Sequence, residues 1–92
     1  MEATVHLGTC PFHEGRRVQQ ELIAERLSGR REDGFLLCEH FPVVTLGRQT
    51  SPVDINQDSP FWASSGIAIE RADRGGGPTY HAPGQLVVYP VI

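Results

Sequence analysis

A GGGP tract at residues 75–78 constrains this chain more than any other feature of its sequence. It follows a β-strand candidate at residues 67–71 and precedes a second one that starts at Thr79. Residues without a β-carbon permit positive φ and allow close approach to the backbone, and proline fixes φ at the exit of the loop. The tract therefore predicts a tight connection, after which Thr79 and His81 point to one face of a strand and Tyr80 to the other.

The clearest helix is predicted over Phe12–Leu27, where Val18, Leu22 and Ile23 recur at helical spacing. Gly29 suits the C-terminal cap of this helix. Gly15 is unfavourable inside a helix, so a start after Gly15 is an alternative.

A second, short helix is predicted from Pro60 to about Ser64, with Ser59 as its N-cap and Ser65-Gly66 as its end. Residues 47–59 are rich in turn-forming side chains and predict a surface loop.

Short runs of β-branched and apolar residues predict the remaining strands, at residues 4–7, 35–39, 43–46 and 86–89. The near-continuous apolar run at residues 35–39 indicates a strand covered on both faces. Strands that alternate with one long and one short helix predict an α+β domain, built on a mixed β-sheet with flanking helices.

The charged residues limit the possible functions. The net charge is −3, and all eight basic side chains are arginine. This charge balance argues against a nucleic-acid binder. Because the chain has no lysine, it cannot itself supply a lysine amine for catalysis.

The chain shows neither a secretory signal nor an apolar stretch long enough to span a bilayer, so we expect a cytoplasmic location and no membrane partner. The two cysteines, Cys10 and Cys38, form no CxxC motif or Cys/His cluster, so no metal site is predicted.

Two blocks of sequence resemble one known family. Residues 74–85, RGGGPTYHAPGQ, resemble the octanoyltransferase signature, which reads RGG, two variable positions and TYHGPGQ. Residues 39–48, EHFPVVTLGR, resemble that family's EHxPVxTLGR segment. The resemblance runs from about residue 5 to the last residue and covers the N-terminal part of the family. Ala82 departs from it, since the family usually has glycine there.

The resemblance implies an incomplete fold of the kind found in the catalytic modules of biotin and lipoate protein ligases. It implies an acyltransferase of lipoate biosynthesis that uses no cofactor. Its partners would be octanoyl-acyl carrier protein, the lipoyl domains of 2-oxoacid dehydrogenases and glycine cleavage protein H. The octanoyl group would pass through a thioester on a cysteine, with a lysine nearby to lower that thiol's pKa. In the family both groups lie downstream of the TYHGPGQ signature.

Carried over by position, the expected substrate-binding residues are Arg74, Gly75, Gly76, Gly77, Pro78, Thr79, Tyr80 and His81. His81 is interpreted either as a hydrogen-bonding group near the reacting centre or as a link between two loops. Arg74 is either a charge that faces the substrate or an anchor paired with Asp73 or Glu70. Arg48 either meets an acidic carrier protein or caps its loop.

No catalytic residue is assigned. Cys38 lies in a predicted apolar strand, where burial makes a thiol inert. Cys10 precedes Pro11 in a predicted N-terminal loop. His40 is interpreted as structural, and His6 and His13 as surface residues.

The chain stops inside an apolar run at Val91-Ile92, so we expect residues 1–92 to be the truncated N-terminal part of a single catalytic domain. Two alternatives remain open. One is a protein related to lipoate or biotin protein ligases, and the other is a non-catalytic subunit or remnant that binds acyl carrier protein.

Overall fold

A computed structural model describes residues 3–92, which form eight elements. The strands are β1 (Ala3–Cys10), β2 (Gly34–His40), β3 (Val43–Leu46), β4 (Ala68–Arg71), β5 (Pro78–His81) and β6 (Val87–Val91). The helices are α1 (Phe12–Leu27) and α2 (Pro60–Ser64).

The strands form two mixed sheets of three strands each, and we name them sheet A and sheet B. Sheet A has the order β1-β2-β6, with β1 and β2 parallel and β6 antiparallel to β2. Sheet B has the order β4-β3-β5, with the same arrangement of one parallel and one antiparallel pair. The predicted α+β class with mixed pairing is confirmed, although the pairing is divided between two sheets. Phe41 and Pro42 separate β2 from β3, because proline has no N–H for a ladder.

Helix α1 covers all of the predicted range and includes Gly15, so the alternative start after Gly15 is wrong. Gly15 is buried against sheet A, where a β-carbon would meet the ring of His40. At the other end Gly29 adopts φ +80°, and the N–H of Arg30 donates to the carbonyl of Glu25 over 2.9 Å. This geometry confirms the predicted glycine cap.

The core lies between α1 and sheet A and is centred on Leu22, Leu36 and Val91. Along β2 the burial alternates: Leu36 is fully buried and Phe35 is 36% exposed. The prediction that this strand is covered on both faces is therefore wrong for the described residues, since the second face is only partly covered.

Helix α2 begins as predicted, because the hydroxyl of Ser59 accepts a hydrogen bond from the N–H of Phe61 over 3.2 Å. It ends at Ser65 and Gly66, and Gly66 adopts φ +70°. Within residues 3–92, neither helix is both long and apolar enough to cross a membrane. The cytoplasmic location stays a prediction.

Candidate functional site

A cavity of about 630 Å³ opens between α1 and the two sheets. We name it the inter-sheet cavity. Its lining residues are Phe12, Arg16, Gln19, Thr45, Ala72, Asp73, Arg74, Thr79, His81, Val87, Tyr89 and Pro90. Apolar surface comes mainly from Phe12 of α1 and from β6, and polar groups come from α1, β3, β5 and the loop before β5. An apolar wall facing a few convergent polar groups is typical of a small-molecule site.

The structure divides the eight expected substrate-binding residues into two groups. Arg74, Thr79 and His81 line the inter-sheet cavity. The others, Gly75, Gly76, Gly77, Pro78 and Tyr80, are not among its lining residues. Tyr80 is 51% exposed on the opposite face of β5, which confirms the predicted alternation with Thr79 and His81.

The glycine loop packs closely against Gly47, which directly follows β3. The N–H of Gly47 donates to the carbonyl of Gly77 over 3.2 Å. A β-carbon on Gly47 would lie 2.3 Å from the carbonyl oxygen of Gly76. Gln49 adds bonds in both directions, since its N–H donates to Gly76 and its side-chain oxygen accepts from the N–H of Gly76. The two recognised sequence blocks are therefore docked onto each other.

Arg74 fastens this loop to β3. Its Nη2 donates to the carbonyl oxygen of Thr45 over 2.9 Å and to the Thr45 hydroxyl over 2.8 Å. The expected anchors were different: Asp73 pairs with Arg48 at 2.6 Å, and Glu70 faces His13 at 3.7 Å. The anchor interpretation thus holds for Arg74, but its partner is Thr45, which is fully buried.

His81 is held in one tautomer. Its Nδ1 lies 3.1 Å from the side-chain oxygen of Gln85, which can only accept, so Nδ1 carries the proton. Its Nε2 lies 3.4 Å from the hydroxyl of Thr45. Burial lowers the pKa of His81, and His40 and Arg74 add to this effect against the Gln85 hydrogen bond. His81 is therefore neutral at physiological pH, with Nε2 available as an acceptor at the cavity wall.

Burial also determines the chemistry of both thiols. It raises the pKa of Cys38 to about 12 and raises that of Cys10. The burial of Cys38 and its raised pKa agree with the prediction that this thiol is inert. Cys10 is also buried, and it is the last residue of β1, so its assignment to an N-terminal loop is wrong.

The thiols flank His40, which is fully buried and structural as expected. Its Nδ1 lies 3.0 Å from the carbonyl oxygen of Cys10, and its Nε2 lies 2.8 Å from the hydroxyl of Tyr89. The absence of a Cys/His cluster inferred from spacing is corrected here, because Cys10, Cys38 and His40 place their ligand atoms within 4.8 Å of one another. Pairing between neighbouring strands joins residues that are far apart in sequence.

Several cavity residues were missed by sequence reasoning. Thr45 and Tyr89 fall inside or beside the recognised blocks, but a block does not reveal which side chains face inward. The side-chain amide of Gln19 in α1 donates to the carbonyl of Pro90 over 3.1 Å. Arg16 also lines the cavity, and its guanidinium carbon lies 6.0 Å from the ring centroid of Phe12.

The turn after β5 is tied to β2. The carboxylate of Glu39 accepts a hydrogen bond from the N–H of Gly84, and the N–H of Gln85 donates to the carbonyl of Ala82 over 3.1 Å. Positive φ in this turn falls on Gly84, at +95°, and Ala82 is not among the positive-φ residues. The methyl group of Ala82 is therefore accommodated by the backbone.

Comparison with known proteins shows what this chain is similar to. Residues 12–92 match the lipoyl protein ligase A/B catalytic domain family. The chain is 42% identical over 88 residues to the octanoyltransferase of Acidobacterium capsulatum, covering 96% of this chain and 36% of that protein. It is 44% identical over 90 residues to the octanoyltransferase of Chloroflexus aurantiacus, covering 97% of this chain and 40% of that protein. The chain thus spans about two fifths of the length of these relatives.

Solved structures agree on the fold. Lipoate-protein ligase A bound with ATP superposes with a TM-score of 0.65 at 23% identity, over 94% of this chain and 35% of that one. LipL1 of P. falciparum, solved in complex with lipoate, gives a TM-score of 0.63 at 14% identity, over 91% and 29% of the two chains. The expected ligase-like architecture is confirmed, with this chain matching about a third of each structure.

Proposed function

Because this chain belongs to the lipoyl protein ligase A/B catalytic domain family, we propose that it carries the acyl-binding part of an octanoyltransferase. The enzyme would transfer an octanoyl group from acyl carrier protein to a lysine of a lipoyl domain. Acceptors would include the lipoyl domains of 2-oxoacid dehydrogenases and glycine cleavage protein H. Two sequence blocks and relatives more than 40% identical support the transferase over a ligase.

The inter-sheet cavity is the observation that carries this proposal. Its volume of about 630 Å³ falls within the range of ordinary small-molecule sites, roughly 300–1,000 Å³. Phe12, Val87 and Pro90 offer an apolar surface for the acyl chain. We assign the thioester end to the polar side, near Thr79 and His81.

His81 would act there as a neutral hydrogen-bonding group. A proton on Nδ1 leaves the lone pair of Nε2 directed toward Thr45. Arg74 donates to the same Thr45 hydroxyl, so that hydroxyl can give its own proton to His81. This arrangement would fix the imidazole, and a substrate amine or thiol that gives its proton to Nε2 would first have to replace the Thr45 hydroxyl there.

The covalent step is assigned to neither thiol of this chain. Cys10 and Cys38 are buried, and burial raises the pKa of both. The chain has no lysine to lower the pKa of a thiol. In this proposal the nucleophile and its lysine are supplied by residues other than these 92.

Acyl binding can be tested on the purified chain with octanoyl-pantetheine, followed by NMR and calorimetry. We expect shifts at Thr79, His81 and Val87, and much weaker binding of acetyl-pantetheine. Ala72→Phe should block the cavity, whereas Ala63→Phe on exposed α2 is the matched control. Equal binding by both variants would contradict the assignment of this cavity.

The alternatives predict other results. ATP binding by the chain would favour a protein of the ligase type. Octanoyl transfer to a lipoyl domain by the 92-residue chain, or an octanoyl adduct on Cys10 or Cys38, would refute the assignment of the nucleophile to other residues.

Arginines beside the cavity support an acidic carrier protein as partner. Arg16, Arg48 and Arg71 line one groove that adjoins the inter-sheet cavity through Asp73. Positive charge on a rim steers an acidic protein toward its site and makes binding sensitive to salt. Arg71→Glu should weaken octanoyl-acyl carrier protein binding and leave octanoyl-pantetheine binding intact. Arg30→Glu, beyond the far end of α1, should change neither, and a loss with both variants would indicate nonspecific attraction.

A further inference from the structure

Two cysteines and a histidine share one buried position beneath α1. Cys10 ends β1, Cys38 and His40 lie in β2, and each is at most 6% exposed. Parallel pairing sets Cys10 directly beside His40, and Cys38 precedes His40 by two residues on the same buried face. The backbone register thus brings the three side chains together.

We propose that Cys10, Cys38 and His40 form a binding site for one thiophilic divalent cation of the zinc type. Their ligand atoms lie within 4.8 Å of one another, and Cys38 Sγ is 3.8 Å from His40 Nε2. Zinc–sulfur bonds of about 2.3 Å and zinc–nitrogen bonds of about 2.0 Å hold tetrahedral ligand atoms roughly 3.5–3.8 Å apart. The cluster therefore needs to contract by no more than about 1 Å.

The histidine is already oriented for ligation. Its Nδ1 lies 3.0 Å from the carbonyl oxygen of Cys10, which can only accept, so Nδ1 carries the proton. The lone pair is then on Nε2, which faces Cys38. Cys10 Sγ lies 3.7 Å from Nδ1, so it must turn toward Nε2 to share the same cation. A backbone carbonyl that binds the other ring N–H is the usual support of a metal-binding histidine.

The charge and chemical type of the three ligands indicate which cation fits the site. Binding replaces the two S–H bonds with two S–metal bonds and releases two protons to solvent, with no change of oxidation state. Two thiolates balance a divalent cation, so the buried site stays neutral. Thiolate and imidazole ligands favour zinc over magnesium or calcium, which prefer oxygen.

Tyr89 competes with the cation. Its hydroxyl lies 2.8 Å from His40 Nε2, and the same side chain lines the inter-sheet cavity. A cation reaching the cluster through the cavity must displace this hydroxyl from Nε2. Metal binding and the position of Tyr89 are therefore linked.

The test uses the reduced, untagged 92-residue chain. Co²⁺ should give the thiolate charge-transfer absorption of a tetrahedral site at one equivalent, and Zn²⁺ should displace it. Zn²⁺ should also raise the thermal unfolding midpoint, because it binds the folded chain. No stoichiometric binding, or cobalt bound without thiolate absorption, would overturn the proposal.

Variants distinguish this site from incidental binding. Cys38→Ala should weaken zinc binding at least about tenfold, the scale on which metal sites lose affinity when their support is removed. His6→Gln and His13→Gln should leave the affinity unchanged. Tyr89→Phe keeps the ligands, removes the competing hydroxyl and should strengthen binding roughly two- to tenfold, the worth of one hydrogen bond.

Tyr89→Phe keeps the proposal testable if Cys38→Ala fails to fold. Weaker or unchanged binding by Tyr89→Phe would count against ligation by Nε2. Loss of binding with His6→Gln or His13→Gln would assign the metal to surface histidines. Recovery of a Cys10–Cys38 disulfide in the presence of zinc would identify the pair as a redox couple and overturn the metal assignment.

Discussion

Gly15 of α1 lies over the buried ring of His40, where a β-carbon would come within 2.8 Å of His40 Cε1. The imidazole cannot readily yield, because both of its nitrogens are hydrogen-bonded, to Cys10 and to Tyr89. The glycine therefore sets the separation between α1 and β2, and with it the position of one wall of the inter-sheet cavity.

Gly15→Ala is expected to destabilise the chain. Alanine normally improves a helix interior by about 1 kcal/mol over glycine, but overpacking a close-packed core costs about 1–3 kcal/mol. We expect a net loss of about 1 kcal/mol in the free energy of unfolding, measured as a lower urea midpoint. Gln20→Ala, on the exposed face of α1, should be nearly neutral. A stabilised Gly15→Ala chain would show that α1 does not pack on His40.

Gly47→Ala should be more damaging than Gly75→Ala. A β-carbon at Gly47 would meet the carbonyl oxygens of Gly76 and Gly75 at 2.3 and 2.9 Å, and backbone atoms have little room to move. At Gly75 the nearest atom is the flexible Gln49 side chain, at 3.5 Å. We expect a loss of about 2–3 kcal/mol for Gly47→Ala and a change within about 0.5 kcal/mol for Gly75→Ala. Chemical denaturation of both variants would measure the difference, and equal effects would refute the docking of the two blocks.

His81 should titrate below its ordinary value of 6.5, mainly because burial disfavours the imidazolium. The unfolded chain takes up this proton first as the pH falls, so stability present above about pH 6.5 is lost as the pH approaches the folded pKa. His81→Gln should reduce this part of the pH dependence. Gln85→Ala should lower the pKa of His81 further, because it removes the acceptor for Nδ1–H.

The measurement for His81 is an NMR titration of the imidazole Cε1–H signal, assigned by its absence in His81→Gln. A pKa at or above 6.5 in the folded chain would contradict the buried, neutral state assigned to His81.

Glu39→Ala should loosen the turn after β5. The carboxylate is the acceptor for the N–H of Gly84, so its removal leaves that amide to water. We expect amide exchange at Gly84 to rise about tenfold, in keeping with the loss of one charge-assisted hydrogen bond. Asp58→Ala, in the loop before α2, serves as the control. Unchanged exchange in Glu39→Ala would mean that Glu39 does not hold the turn.

Much of the local structure could be predicted because it depends on neighbouring residues. The bounds of α1 follow from the recurrence of Val18 and Leu22 and from Gly29 at the C-terminal end. The start of α2 follows from Ser59, whose hydroxyl accepts a hydrogen bond two residues along the chain. Such hydrogen bonds join residues that are close together in the chain, so they can be predicted from the sequence.

Burial was harder to predict. The apolar run at residues 35–39 suggested a strand covered on both faces, yet Phe35 is 36% exposed and Leu36 is fully buried. Composition gives the polarity of a strand, but coverage depends on which elements pack against each face. The position of Cys10 at the end of β1 was missed because the strand extends to Cys10, whereas the sequence pattern predicted a strand only at residues 4–7.

The sequence alone determined the family, through the RGGGPTYHAPGQ and EHFPVVTLGR blocks, and it determined where most helices and strands lie. The tertiary structure decided what those blocks do. It directs Arg74 to Thr45, docks the glycine loop on Gly47 and gathers Cys10, Cys38 and His40 beneath α1. The contacts of Arg74 with Thr45 and of Cys10 with His40 join residues 29 and 30 positions apart, and strand register and burial bring such residues together where no local pattern can.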